Sequence, residues 1–550
     1  MQYRNPVADL ETHHVDNQPP LFEDVNRYTS DTALIEAVSR EGAGFAERAF
    51  VELGERVGSA EVQDQATQAN RHPPELKAFD RFGRRIDEVE FHPAYHALMC
   101  LGLEGGVSSV AWTTASGGHA AHAALLYLMT AADAGVCCPF SMTYASVPAL
   151  RRQPELAEAW EPRITGARYD PASRPAAEKA GVTIGMAMTE KQGGSDVRAN
   201  TTRATALSGR GEFELVGHKW FCSAPMSDAF FTLAQTGVGL SCFFVPRWRP
   251  DGSRNALHIM RLKDKLGDRS NASAEIEYHG AWARLVGDEG QGVRTIIDMV
   301  QGTRLDCVVG SAALMRNALA GALWHCTQRS VFGRRLAAQP AMTKVLADLA
   351  LEQEAALALA FRVARSFDEA GRGAQAASVA RVLTPIAKYW VCKRTPSFVY
   401  EAMECHGGNG YVEDSPLPRY FRQSPLNSIW EGSGNVIALD VLRAIQKQPA
   451  LLDALLGELE PARGFDPRFD RVLAGLPGLA RDLDEGGARR FCERAAVAAQ
   501  AALLVAHAPS FVADAFVATR FDTGAPQTYG AFESAIDCEA LIARASPAAL

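Results

Sequence analysis

"TRATALSGRGEFELVGHKWF" (residues 202–221) is the stretch on which the fold turns. Two runs alternate apolar with polar residues, and "SGRG" (208–211) between them has the composition of a tight turn, so the segment reads as a β-hairpin. "SCFFVPRW" (241–248) and "ASAEIEYHG" (272–280) continue in that style. The flanks do not. Upstream, "HAAHAALLYLMTAADAG" (119–135) is an Ala/Leu-rich helical run; downstream, Val293, Ile296, Ile297 and Val300 recur at i, i+3, i+4, i+7. Four zones follow: 1–183, helical behind an irregular, Pro-containing leader; 184–283, strands; 284–444, long helices; and 445–550, a helical appendix broken at Pro461, Pro467 and Pro477. The expected class is α+β and multidomain, because 550 residues exceed one ordinary core.

Composition narrows the setting. A chain 47% hydrophobic and 22% charged is that of a soluble globular protein. Ala134–Leu150 is uncharged but short and interrupted by Pro139 and Pro148, and "MQYRNPVADLE" is polar from the start, so neither a membrane span nor a cleavable leader is expected. Eleven cysteines without CxxC spacing suit reduced thiols in a cytoplasm, with the neighbours Cys137 and Cys138 serving packing. A net charge of −8 gives no electrostatic case for bulk nucleic-acid binding, which would need a local patch.

The candidate chemistry lies in loops. "MTEKQGGSDV" (188–197) has neither dinucleotide-fold nor P-loop glycine spacing; Thr189 and Ser195 either cap nearby backbone or face a polar ligand. "GHKWFCSAP" (217–225) is either a strand with core aromatics or a wall for a flat ring with a hydroxyl, Ser223, beside it. "QRSVFGRRLAAQPAM" (328–342) sets Arg329 and Phe332 at a glycine turn; Arg329 is a surface charge, or a bidentate anchor if a phosphate lies near. "ECHGGNGY" (404–411) offers backbone that approaches a pyrophosphate closely, and "SIWEGSGN" (428–435) puts Glu431 in a Gly/Ser turn.

In this order, "MTEKQGGSD", an aromatic–x–Ser strand, "LGDRSNAS", the Arg–Phe–Gly–Gln segment, "GGNGY" and "WEGSGN" resemble the acyl-CoA dehydrogenase flavoproteins over residues 90–445. The resemblance implies the fold of that family: a helical N-terminal domain, a middle β-barrel and a helical C-terminal domain, with FAD held between domains and subunits. It implies that Met186, Met188, Thr189, Gly194 and Ser195 line the flavin loop, that Phe221, Cys222 and Ser223 stand against the ring, and that Trp430, Ser433 and Asn435 complete the site. Arg329, Phe332, Gln339, Gly407 and Gly408 take the places that bind the adenine end of a neighbour's FAD, which implies a homotetramer. Glu431 takes the place of the catalytic base, which removes the weakly acidic proton α to a thioester while the β-hydrogen leaves as hydride to the flavin. The alternative site for that base, before Arg304, holds Thr303.

"MTEKQGG", Trp430, the long leader and the appendix resemble one branch of that family, the AidB alkylation-response flavoproteins of bacteria. That branch implies binding of double-stranded DNA through the appendix, protection from alkylating agents, and a dehydrogenase activity that is either weak, on isovaleryl-CoA-like thioesters, or aimed at an unidentified substrate. Arg443 matches a basic position of the branch, and Arg489, Arg490 and Arg494 fall within about 140° of a helix turning ~100° per residue. Against this, residues 443–550 hold 11 Lys/Arg and 14 Asp/Glu, a net of −3, and Glu493 lies inside the arc. The rival is an ordinary catabolic acyl-CoA dehydrogenase whose appendix serves assembly. A nitroalkane-oxidising relative would carry aspartate at position 431.

Overall fold

The computed structural model describes residues 6–522 and 526–547. By contacts the chain divides into two compact units, one of residues 1–64, 119–131 and 307–550, the other of residues 65–118 and 132–306.

The second unit carries the sheet. It opens with a hairpin of β1 (Glu75–Phe79) and β2 (Arg85–Glu90), paired antiparallel. Sequence reading made this zone helical; charged residues at nearly every second position of "ELKAFDRFGRRIDEVE" hide the alternation. Seven further strands follow: β3 (Ile184–Ala187), β4 (Arg203–Ala206), β5 (Glu212–Ser223), β6 (Ala229–Gln235), β7 (Leu240–Pro246), β8 (Leu257–Leu262) and β9 (Ser273–Val286). Pairings run β6–β4–β5–β9–β7 and back to β6, closing a small barrel, with β3 on β6 and β8 on β9. The expected hairpin is β4–β5, in register from Arg203↔Val216 to Ala206↔Phe213. Phe213, Leu215 and Cys222 point into the barrel core with Phe230, Phe243, Ile259 and Ile276. Closure leaves these strands no long free edge.

One strand edge is shared. β3 pairs parallel with the first half of β6 (Ile184↔Ala229 to Ala187↔Thr232), and β4 joins the same strand, also parallel, at Arg203↔Gln235. Residues 188–202 leave that edge and return to it three positions further along.

The first unit is helical. Pro340–Glu369 and Ala374–Glu404 pack together as its spine, and Gly434–Lys447, Ala450–Leu459 and Ala488–His507 pack on the second of them. Cys538–Ala545 and Ala488–His507 pack on the first. The appendix is thus built onto this unit by a buried charge cluster as well as apolar contacts: Arg520 bonds Asp348 (2.6 Å) and Glu352 (3.2 Å), Arg394 bonds Glu352 (3.2 Å), and the backbone N–H of Gly530 bonds Asp348 (2.8 Å). Of the three prolines expected to break the appendix, Pro467 instead begins the helix Pro467–Arg481, where its missing N–H costs nothing, and Pro477 lies inside that helix.

Among the described residues, Gly292–Gln328 alone is long and apolar enough to cross a membrane, and its most apolar window is 83% buried within the protein, as in a core helix. Nine of the eleven cysteines are buried.

Candidate active site

The expected site residues form two groups, one in each unit. In the second unit, the loop 188–197 is fixed by a residue that sequence reading passed over. Glu190 is fully buried and accepts hydrogen bonds from Lys219 Nζ (2.9 Å), the Thr201 N–H (2.6 Å) and hydroxyl (2.9 Å), the Thr202 N–H (3.1 Å) and Gln192 Nε2 (2.8 Å). Lys219, also buried, gives a second bond to the Leu233 carbonyl (2.8 Å). Burial opposes both charges. In Glu190 the Lys219 ammonium and the surrounding donors outweigh it, holding the carboxyl well below the usual carboxylate range; in Lys219 burial prevails over Glu190 and brings the ammonium down to about 8.

That anchor leaves the tip of the loop open. Lys191 through Asp196 are exposed, and Gly193 has a φ of 143° with nothing within 4 Å of the place a Cβ would occupy. A Cβ on Gly194 would come 2.4 Å from Thr189 Oγ1, so only glycine lets the loop fold on Thr189. Met186 is in β3 and buried; Met188 gives its carbonyl to Asn200 Nδ2 (3.0 Å). The Thr189 carbonyl accepts from the Trp220 N–H (2.8 Å), where β5 bulges between Lys219↔Ile276 and Cys222↔Ala274. The bulge places Trp220 and Phe221 opposite one residue and turns Phe221 outward, 53% exposed. Cys222 then returns to the core, so of this expected contact only the backbone is available to a ligand. Ser223 Oγ lies 3.4 Å from Ser273 Oγ, which also accepts from Lys265 (3.2 Å).

In the first unit, Arg329 bonds the Asn17 carbonyl (2.7 Å), and the Asn17 side chain bonds both the N–H and the carbonyl of Ser330 (2.8 Å each), so the leader clasps the two-residue strands Ser330–Val331 and Arg334–Arg335. Gln339 bonds the Val331 carbonyl (2.9 Å). The turn between these strands puts Phe332 (φ 50°) and Gly333 (φ 76°) in the left-handed region and leaves Phe332 98% exposed. A phenylalanine there costs about 1–2 kcal/mol, a cost without return in this chain unless the ring meets something beyond it. Gly407 (φ 59°) and Gly408 have nothing within 4 Å of a Cβ position.

Glu431 is half-buried and also left-handed, with φ 56°, followed by Gly432 at 103°. Lys388, buried in the middle of Ala374–Glu404, donates to the carbonyls of Asn427 (3.0 Å), Trp430 (2.9 Å) and Gly432 (2.8 Å), on either side of Glu431. Trp430 Nε1 bonds Asn427 Oδ1 (2.9 Å). Ser433 occupies the N-cap of Gly434–Lys447 without using its side chain as a cap, which leaves amides of the first turn open to an anion. Asn435 Oδ1 accepts from Arg489 (3.1 Å), which also bonds the Tyr389 hydroxyl (3.2 Å). Arg489 therefore does not stand with Arg490 and Arg494 as a freely presented cation; Arg443, Arg490, Arg494 and Glu493 are all exposed.

Residues 17–171 match the adaptive response protein AidB N-terminal domain, 185–281 the acyl-CoA dehydrogenase middle domain and 290–446 the acyl-CoA dehydrogenase C-terminal domain. The chain is 46% identical to AidB of Escherichia coli (strain K12) over 516 residues, 93% of this chain and 95% of that one. It is 32% identical to acyl-CoA dehydrogenase family member 11 of Caenorhabditis elegans over 76% of this chain and 70% of that one. Among solved structures, Bd2924 in its apo form superposes with a TM-score of 0.81 at 30% identity (90% of this chain, 99% of that one). Caenorhabditis elegans ACDH-11 in complex with C11-CoA also gives 0.81, at 26% identity (100% and 95%). FAD is the cofactor of acyl-CoA dehydrogenases. The open glycine loop and the outward Phe221 of the barrel unit fit it. The chain belongs to the acyl-CoA dehydrogenase family and is of the AidB kind.

Proposed function

We propose that this protein is a FAD-dependent oxidoreductase that takes an acyl-CoA thioester and uses Glu431 as its base. The carrying observation is the conformation at Glu431: a carboxylate in a strained left-handed loop, fastened by a buried lysine, at the position the family uses for α-proton removal. Bound FAD supplies the electron acceptor. The barrel unit offers Thr189, Gly194 and Ser195 as loop contacts, Phe221 as a wall for the ring, Ser223 as a hydroxyl and the backbones of Met186, Met188 and Cys222. The helical unit offers its own set, Trp430, Ser433 and Asn435, at the start of a helix. Glu431 accepts the α-proton of the thioester. Arg329, Phe332, Gln339, Gly407 and Gly408 serve a partner's cofactor in a cytoplasmic homotetramer; the exposed ring of Phe332 supports that reading.

The test adds acyl-CoA thioesters of graded chain length to the oxidised holoprotein and follows bleaching of the flavin. Wild type should bleach and Glu431→Gln should slow by orders of magnitude with flavin content unchanged. A Glu431→Gln protein that bleaches at the wild-type rate defeats the assignment.

A second reading, binding of double-stranded DNA in protection from alkylation, rests on the likeness to AidB. Exposed Arg443, Arg490 and Arg494 are its candidate contacts, and the acidic balance of the appendix is the physical objection. Duplex titrations over a salt series decide it: Arg443→Ala, or Arg490→Ala with Arg494→Ala, should flatten the salt slope by about one per lost phosphate contact. Unaltered binding at every salt concentration removes this patch from consideration.

A further inference from the structure

We infer that Lys388 is the positioning residue for the base at Glu431, an inference that rests on the reading of Glu431 given above. Lys388 stands in the helix Ala374–Glu404 and is 2% exposed. An ammonium has three N–H donors, and here three carbonyl oxygens receive them, those of Asn427, Trp430 and Gly432, at 3.0, 2.9 and 2.8 Å. Those carbonyls bracket position 431. None belongs to a regular helix or strand: Leu426–Ser428 is a single 3-10 turn and the next helix begins at Gly434.

The need for a clamp follows from the backbone. An L-residue rests easily at negative φ, and Glu431 is at 56° with Gly432 at 103° beyond it. Left to itself this segment would relax to the right-handed or extended region and swing the Glu431 carboxylate with it. A carbonyl held just before such a residue, and another held on the glycine that follows it, pin the peptide planes that enter and leave the two-residue left-handed turn. Lys388 does this for Glu431 through Trp430 and Gly432, and its third bond ties the loop to Asn427, whose side chain is bonded to the indole of Trp430 and to Ser311 (3.2 Å). The spine helix thus holds the aim of the carboxylate without touching substrate.

The variants are Lys388→Met, which keeps the length but removes every donor, and Lys388→Gln, whose amide satisfies at most two carbonyls. Each is prepared as full-length, FAD-loaded protein. The first measurement is amide hydrogen exchange over residues 427–434, which does not depend on turnover. Exchange should rise at least tenfold in Lys388→Met and less in Lys388→Gln, with the barrel peptides unchanged. The second is the kinetics of acyl-CoA-driven flavin bleaching: the limiting rate should fall at least a hundredfold in Lys388→Met while acyl-CoA affinity stays within threefold. Combining Lys388→Met with Glu431→Gln should slow bleaching no further than Glu431→Gln alone, since Lys388 acts only through that carboxylate.

Unchanged exchange in the loop, or additive losses in the double variant, overturns the inference. Loosened exchange with an undiminished limiting rate overturns it as well. If Glu431→Gln itself keeps full activity, the base assignment fails, and the exchange data alone still decide whether Lys388 holds the loop. If Lys388→Met does not fold, the graded loss in Lys388→Gln decides the same points.

Discussion

At the scale of single residues, the Glu190–Lys219 pair decides whether the loop 188–197 has a shape. Replacing Glu190 with leucine leaves a fully buried ammonium without its partner, which should destabilise the folded chain by about 3–5 kcal/mol in urea unfolding, with loss of bound flavin. The pair also sets an acid limit. Because the folded chain holds the Glu190 carboxyl below its ordinary value of 4.5, its stabilisation is complete above about pH 4.5 and is lost as pH falls beneath it. A series of thermal midpoints from pH 6 to 3.5 should show a decline steeper in wild type than in Glu190→Gln; equal slopes would assign the acid sensitivity to other carboxylates. Neither residue's role was readable from its neighbours, since a glutamate in "MTEKQGG" looks solvated. The signal available was parity: Phe213, Leu215 and Lys219 share the inward side of β5, and a lysine on that side calls for a buried anion.

At the scale of elements, the strand zone was legible because one-sided burial imposes alternation, and "TRATALSGRGEFELV" carries it plainly. The β1–β2 hairpin was not, because charged residues take more than half of its eleven strand positions. The bulge at Trp220 and Phe221 was also hidden, since one added residue in a run of aromatics changes no composition. The candidate loops were legible as motifs, whereas Lys388 and Asn17 were not, because each acts on a loop distant in sequence through backbone carbonyls or amides. The appendix offers a direct test of how elements are held. Arg520→Met leaves Asp348 and Glu352, both nearly fully buried, with one charge fewer to answer them. Stability should fall by several kcal/mol, about 3–5 if the pair with Asp348 is fully desolvated. Limited proteolysis should then cut soon after residue 520 while the barrel stays intact. A proteolysis pattern identical to wild type would mean the apolar packing of Ser510–Arg520 suffices by itself.

At the scale of the whole molecule, the appendix belongs to the helical unit and is not a tethered domain. Ala488–His507 covers both spine helices, with Trp390 bonded to Gln500 (3.0 Å), and Phe491, Ala495 and Ala499 among its buried side chains. A chain ending at Gln448 should therefore fail as a soluble protein, exposing the apolar faces of Pro340–Glu369 and Ala374–Glu404; size-exclusion chromatography should find aggregate. Recovery of a well-folded 1–448 fragment would show that the spine is self-sufficient. Arg489 gives the same packing a reach toward chemistry: it joins the appendix to Asn435, four residues past Glu431.

The shared edge of β6 has an evolutionary meaning. Since β3 and β4 lie parallel along one neighbour, the barrel treats them as a single interrupted strand, and residues 188–202 are a cassette set into the interruption. Such a cassette can be exchanged for another of different length or ligand without disturbing the register of the strands on either side. Only one clause of the contract is fixed. Lys219 waits inside the barrel wall, so every replacement must bring its own buried carboxylate, or arrive together with a change of Lys219 to an apolar residue. Diversification of this loop in such a scaffold should proceed in pairs of substitutions, one in the cassette and one on β5.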